Sequence, residues 1–266
     1  MKKILFIGSG NMASAIANGV ISSGQIAPEL IYLYDKNPNQ YEKFNSSCQI
    51  ASSLSSAFSL ADYVFLSIKP QNVNEILSII KDFDYKSKIF ISICAGITIE
   101  SIEKQLPQAR IVRTMPNTPL LIGQGVTALC KNDFVSDDEF EFVKRIFASS
   151  GKVFEINEGD INALTALTSS SPAYIYLFAK ALKEGAEKLG FSYNSTVEMI
   201  CATLIGSASM ILQSEKSLDD LISMVKSPNG TTERALNVFE DKHFAEIVCQ
   251  AMDACAKRAE ELSKFN

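Results

Sequence analysis

One histidine, His243, stands in 266 residues, within the polar stretch Asp241-Lys242-His243. A Ser–His–Asp hydrolase needs its histidine set among catalytic partners, so that chemistry is poorly served. Metal chemistry is short of ligands as well. The six cysteines (Cys48, Cys94, Cys130, Cys201, Cys249 and Cys255) form no Cys-x-x-Cys pair. A classical zinc site of Cys and His ligands therefore has too few donors. Cysteines scattered in apolar surroundings read as small buried hydrophobes in a reducing, cytoplasmic compartment. Basic residues are few: 25 Lys and Arg against 30 Asp and Glu leave a net charge of −5. That balance speaks against nucleic-acid binding, which draws on a basic surface. No run approaches the ~20 apolar residues that span a bilayer, so no membrane partner is expected. Met1-Lys2-Lys3 imitates a signal peptide, but the apolar run Ile4–Ile7 is four residues long and stops at Gly8-Ser9-Gly10.

Apolar residues are plentiful, at 47% of the chain, enough for a folded core. Over residues 1–160 short apolar runs alternate with helical stretches. Strands are predicted at Ile4–Ile7, Ile31–Tyr34, Tyr63–Ile68, Ile89–Ile93, Ile111–Arg113, Val126–Leu129 and Val153–Ile156. Helices are predicted at Asn11–Ser23, Val73–Ile80 and Ile99–Leu106, the second with apolar residues at spacings of three and four. This alternation indicates parallel βαβ units. Residues 161–266 show no convincing strand. Ser171-Pro172 opens a helix that Gly190 ends. Thr196–Leu212 is apolar on nearly all sides, which calls for cover beyond so small a domain and points to a subunit interface. Val248, Met252, Cys255, Ala259 and Leu262 make a packing seam on a last helix. The fold class is therefore α/β: an N-terminal Rossmann-like doubly wound sheet followed by an all-α dimerisation domain.

The first strand leads straight into Gly8-Ser9-Gly10-Asn11-Met12-Ala13 and a helix. This is G-x-G-x-x-A in the context that gives it meaning. The first glycine makes a tight turn, the second admits a pyrophosphate to the backbone, and Ala13 lets helix and strand pack closely. The helix N-terminus adds amide donors and a partial positive charge. Asp35 ends the second strand, where an acid faces the adenosine ribose and disfavours a 2′-phosphate. Lys36 beside it suits that phosphate, so NADPH and NADH both stay open. Asp35 also reads as a simple turn residue. Ser67-Ile68-Lys69-Pro70 and Ile93-Cys94-Ala95 lie at further strand ends, where a doubly wound sheet borders its ligand.

Two later segments are Arg113-Thr114-Met115-Pro116-Asn117-Thr118-Pro119 and Lys226-Ser227-Pro228-Asn229-Gly230-Thr231-Thr232-Glu233-Arg234. With the glycine turn, Lys69-Pro70, Ala95-Gly96-Ile97-Thr98 and Ser171-Pro172-Ala173-Tyr174, they resemble the pyrroline-5-carboxylate reductase family over nearly the whole chain. The resemblance implies reduction of Δ1-pyrroline-5-carboxylate to L-proline by NADPH or NADH, in a homodimer joined through the helical domain and in a possible higher assembly of dimers. It implies that Gly8, Ser9, Gly10, Asn11 and Met12 hold the pyrophosphate. Ser67, Ile68, Lys69, Pro70, Ile93, Cys94 and Ala95 would line the cofactor, with Asn117 near the nicotinamide. Thr232 would hydrogen-bond the substrate ring nitrogen, and Ser227, Pro228, Asn229, Gly230 and Thr231 would cradle its carboxylate. The family commonly has glycine where Asn229 stands, and glycines at Ser169 and Ser171.

The same residues admit other readings. Thr231 or Thr232 reads equally as a helix cap. A β-hydroxyacid dehydrogenase would share the architecture and need a catalytic lysine, for which Lys180 and Lys183 are candidates. A dinucleotide sensor without turnover would share everything but an intact substrate loop.

Overall fold

The computed structural model describes residues 2–191 and 193–264. The chain divides into two compact units, Met1–Ser170 with Cys255–Asn266, and Ser171–Ala254. The segment just after residue 160 packs with the first unit because Ile161 is fully buried in its core.

The first unit is built on β1 (Ile4–Ile7), β2 (Ile31–Tyr34), β3 (Gln49–Ile50), β4 (Tyr63–Leu66), β5 (Ile89–Ser92), β6 (Arg110–Pro116), β7 (Gly125–Lys131) and β8 (Gly151–Glu155). Its helices are α1 (Asn11–Ser22), α2 (Leu54–Leu60), α3 (Val73–Ile80), α4 (Ile99–Glu103), α5 (Asp137–Ala148) and α6 (Ile161–Leu164). One sheet holds all eight strands in the order β3-β2-β1-β4-β5-β6-β7-β8. From β1 the chain builds outward through β2 and β3 on one side, then returns to build outward from β4 on the other. The crevice between the carboxyl ends of β1 and β4 is the switch point where such sheets take ligands. Strands β1, β4 and β5 are buried along their whole length, as central strands covered on both faces must be. Phe6 and Phe65 stack across β1 and β4 at 4.5 Å between ring centroids. On α1, Ala13 and Ala17 are almost wholly buried, and their small side chains let the helix lie close to the sheet.

One departure from the parallel expectation lies at β7, which runs antiparallel to β6. Only residues 117–124 join the two strands, too few for a crossover helix, and a short connection turns the chain back on itself. The longer connection through α5 makes β8 parallel to β7. In this unit α2, α5, α6 and β3 have no counterpart among the expected elements. For α5 a signal was present: Ser136 and Glu139 form a capping box, followed by buried Phe140, Val143 and Phe147 at helical spacing.

The second unit holds helices and no strand among its described residues: α7 (Ser171–Lys188), α8 (Thr196–Gln213), α9 (Leu218–Val225), α10 (Thr231–Asp241) and the start of α11 (Phe244–Lys264). Gly190 follows α7 at φ +83°, the left-handed stop its residue type favours. Ser217 and Asp220 form a capping box on α9. On α8 only Thr196 is buried, while Ile205 is 68% and Leu212 86% exposed. By length and composition α8 is apolar enough to cross a membrane, with a mean hydropathy of 1.4 over 18 residues. The expectation that no run approaches that threshold is thus corrected. Apolar surface on this scale marks an interaction face.

Candidate functional site

A cleft of about 540 Å3 opens at the switch point of the first unit. Three segments wall it. The turn after β1 contributes Gly8, Gly10 and Asn11, the segment after β2 contributes Asp35, Lys36 and Lys43, and the segment after β4 contributes Ser67, Ile68 and Lys69.

These segments are laced together. Gly8 N–H donates to Tyr34 O (2.8 Å). The Ser67 hydroxyl donates to Gly8 O (2.6 Å). Gly8 holds φ +92°, and a Cβ there would lie 2.4 Å from Ser67 O. No side chain fits, so glycine is required both for conformation and for close approach. Gly10 is the opposite case. A Cβ built on it meets nothing within 4 Å, so its bare side faces open cleft. It caps α1, whose first turn carries no acidic side chain. The amides of that turn face no carboxylate of their own helix, and a diphosphate fits there.

Asp35 has more than one task. Its Oδ2 accepts from Ser9 N–H at 2.7 Å and its Oδ1 from Asn37 N–H at 2.8 Å. The Tyr41 hydroxyl accepts from Asp35 N–H and donates to Asp35 O, both at 2.9 Å. The carboxylate thus pins the glycine turn to the end of β2. Lys36 pairs with Glu75 at 2.8 Å, which raises its pKa through that hydrogen bond. Lys43 donates to Asn11 Oδ1 and Gln40 Oε1, each at 2.7 Å.

Other anticipated residues are placed elsewhere. Ser9 is fully buried beneath the turn and contributes nothing to the cleft wall. Met12, Pro70, Ile93, Cys94, Ala95 and Asn117 are also absent from that wall. Cys94 joins neighbouring strand ends, its Sγ lying 3.2 Å from both Leu66 O and Ile68 O, which share its single proton. Burial pushes that thiol up to about 11. Buried Asn117 uses both ends of its amide: Oδ1 accepts from Val126 N–H (2.8 Å) and Nδ2 donates to Thr168 O (3.0 Å). It ties the start of β7 to the π-helical turn Thr165–Ser169. Sequence reasoning missed Asn37, Gln40, Lys43, Asn72 and Glu75 on the cleft wall. The available signal was their place on the two segments leaving β2 and β4.

In the second unit, Ser227-Pro228-Asn229-Gly230 forms a turn closed by Gly230 N–H to Ser227 O (2.9 Å). Asn229 sits at φ +58°, the third position of a turn that requires positive φ there, which Asn tolerates. Its N–H is taken by Glu233 Oε2 at 2.7 Å. A Cβ on Gly230 would lie 2.2 Å from Ser227 Oγ, so this glycine permits the turn. Thr231 and Thr232 open α10, and the cap is Gly230, without a side-chain hydrogen bond. The alternative of a threonine cap is therefore not what forms. Thr232 is half-buried beside an apolar hollow of about 460 Å3 shared with Met210, Leu221, Val225 and Leu236. Lys180 and Lys183 are exposed on α7 and pair with Glu184 and Glu187. The described residues contain no cluster of metal-ligating side chains.

Comparison with known proteins bears on both units. Residues 158–262 match a family model described as pyrroline-5-carboxylate reductase dimerisation, and residues 3–96 one described as NADP oxidoreductase coenzyme F420-dependent. The chain is 35% identical to pyrroline-5-carboxylate reductase of Escherichia coli over 266 residues, covering 99% of each chain. Among solved structures it is similar to Plasmodium falciparum pyrroline carboxylate reductase with NADP bound (TM-score 0.91, 30% identity, 98% of each chain). It is also similar to a pyrroline-5-carboxylate reductase from Coxiella burnetii (TM-score 0.89, 34% identity, 98% of each chain).

Proposed function

The chain belongs to the pyrroline-5-carboxylate reductase family, and from that membership we propose which of its residues hold each reactant. It is an NAD(P)H-dependent oxidoreductase that reduces the C=N bond of Δ1-pyrroline-5-carboxylate to give L-proline, and it is a homo-oligomer. NAD(P)H supplies the hydride when bound. The diphosphate is held by Gly8, Gly10 and Asn11 and by the first amides of α1. One observation carries this reading: the open space over Gly10 at a helix N-terminus whose first turn holds no acidic residue. Asp35 keeps the turn in shape and offers its remaining lone pairs to the ribose.

A protonated cyclic imine already accepts hydride readily, so the protein needs no histidine base. Its work is orientation, where effective molarities are large. With Gly230 N–H bonded to Ser227 O and Asn229 N–H to Glu233, the N–H groups of Thr231 and Thr232 at the start of α10 are the ones left to suit a small carboxylate. The Thr232 hydroxyl has no hydrogen-bond partner among the described residues and serves the ring nitrogen. The lysine that a β-hydroxyacid dehydrogenase needs has no free candidate in Lys180 or Lys183, each engaged in an ion pair.

The subunits join as a homodimer through the second unit, with α8 supplying the apolar face. Light scattering at micromolar concentration tests this, and a monomer defeats it. Six free thiols support a reducing cytoplasmic setting. Steady-state oxidation of NADPH and NADH, with and without Δ1-pyrroline-5-carboxylate, tests the whole reading. Substrate-dependent oxidation is expected. Coenzyme binding without it would leave a dinucleotide sensor.

A further inference from the structure

The cleft wall carries three lysines, and they differ in their partners. Lys36 is engaged by the Glu75 carboxylate. Lys69 stands on the opposite wall, after β4. Lys43 ends the 3-10 helix Pro38–Lys43, and its carbonyl accepts from Asn18 Nδ2 at 3.0 Å, which fixes its backbone against α1. From there its side chain reaches back along α1 to Asn11 at the first residue of that helix. Both acceptors of its ammonium, Asn11 Oδ1 and Gln40 Oε1, are neutral. No carboxylate pairs with it among the described residues. A full positive charge is thus held in place at the cleft by groups that leave it uncompensated.

The segment that carries Lys43 is the one that begins with Asp35, at the strand end that faces the coenzyme ribose. The repulsion Asp35 would exert on a ribose phosphate is offset by two backbone N–H donors, from Ser9 and Asn37. A phosphate monoester on that ribose carries roughly −1.5 to −2 charge at pH 7. A lysine binds such a group as a point charge.

We propose that Lys43 is the residue that selects NADPH over NADH, by pairing with the 2′-phosphate of the adenosine ribose. The inference rests on the coenzyme reading of the cleft. It assigns Lys43 to the ribose and leaves the diphosphate to the amides of α1.

Isothermal titration calorimetry on the full chain, with 2′,5′-ADP and with 5′-ADP, tests it. The wild type is expected to bind 2′,5′-ADP more tightly. Lys43→Gln should weaken 2′,5′-ADP by about tenfold or more, the scale of one hydrogen bond to a charged group, while 5′-ADP changes little. Lys43→Arg should keep most of the preference, because the charge remains. Lys43 is exposed, so these replacements leave the core intact, and melting temperature verifies this. Equal weakening of both ligands would make Lys43 a contact for the 5′-phosphates and overturn the proposal. No weakening of either would overturn it as well. Failure of the wild type to bind either nucleotide would instead sink the coenzyme reading of the cleft, and the proposal with it.

Discussion

Replacing Asp35 with alanine separates two jobs that one carboxylate performs. The side chain accepts from Ser9 N–H and Asn37 N–H. Asn37 is exposed, so water takes over its donor at little cost. Ser9 is fully buried, so its N–H is left without an acceptor. An unsatisfied buried donor costs about 1–3 kcal/mol. For a chain of this size about 2 kcal/mol corresponds to a fall in Tm of roughly 4–8 °C. The coenzyme effect is separate. NADH loses an acceptor for its ribose hydroxyl, worth about 1 kcal/mol, whereas NADPH loses a repulsion. The ratio of kcat/KM for NADPH to that for NADH should therefore rise about fivefold. Differential scanning fluorimetry and initial rates with each coenzyme read the two effects independently. Asp35→Asn should fall between, since its amide oxygen keeps one acceptor. An unchanged Tm would refute the pinning of the glycine turn, and an unchanged ratio would refute the role at the ribose.

Thr232→Ala should lower kcat/KM by roughly threefold to a hundredfold through loss of one hydrogen bond to the substrate. Its Tm should hold, because Gly230 and not Thr232 caps α10. Thr232→Ser should keep most activity, and normal kcat/KM in the alanine variant would sink the assignment. Gly8→Ala should destabilise by about 2–5 kcal/mol, as positive φ and a clash with Ser67 O add together; chemical denaturation measures it, and a loss under 1 kcal/mol (on that same scale) would contradict the close approach. The Cys94 thiol, raised to about 11 by burial, remains protonated at pH 8. It should resist alkylation there in the folded protein and react after unfolding, with mass spectrometry of the Cys94 peptide as the measurement. Fast native alkylation would disprove its burial.

What the sequence made legible was local. The glycine turn announces itself because its spacing, its strand and its helix are contiguous. The same holds for Gly190, and for the turn at Ser227–Gly230, where Pro228 and Asn229 suit the backbone they adopt. Contacts between distant segments were not legible. Lys43 meets Asn11 across 32 positions and Lys36 meets Glu75 across 39, and nothing local specifies either encounter. Asn117 belongs to a segment expected near the nicotinamide, and its sequence context gives no sign that both ends of its amide bind backbone groups of other segments. The direction of β7 escaped because an apolar run carries no sign of parallel or antiparallel pairing. Only the length of the preceding connection tells, and that depends on where β6 ends.

In the proposed dimer, the bare flanks of α8 would make the amount of folded enzyme depend on how many copies are present. An apolar face that only a second copy covers gains stability by mass action, and dilution removes it. Met210 and Ile211 of α8 also border the hollow beside Thr232, so in that dimer the support of the threonine would weaken when subunits part. Specific activity should then fall below a threshold concentration while the coenzyme cleft persists. Co-expressed variants would trade subunits, and a damaged copy would burden an intact one.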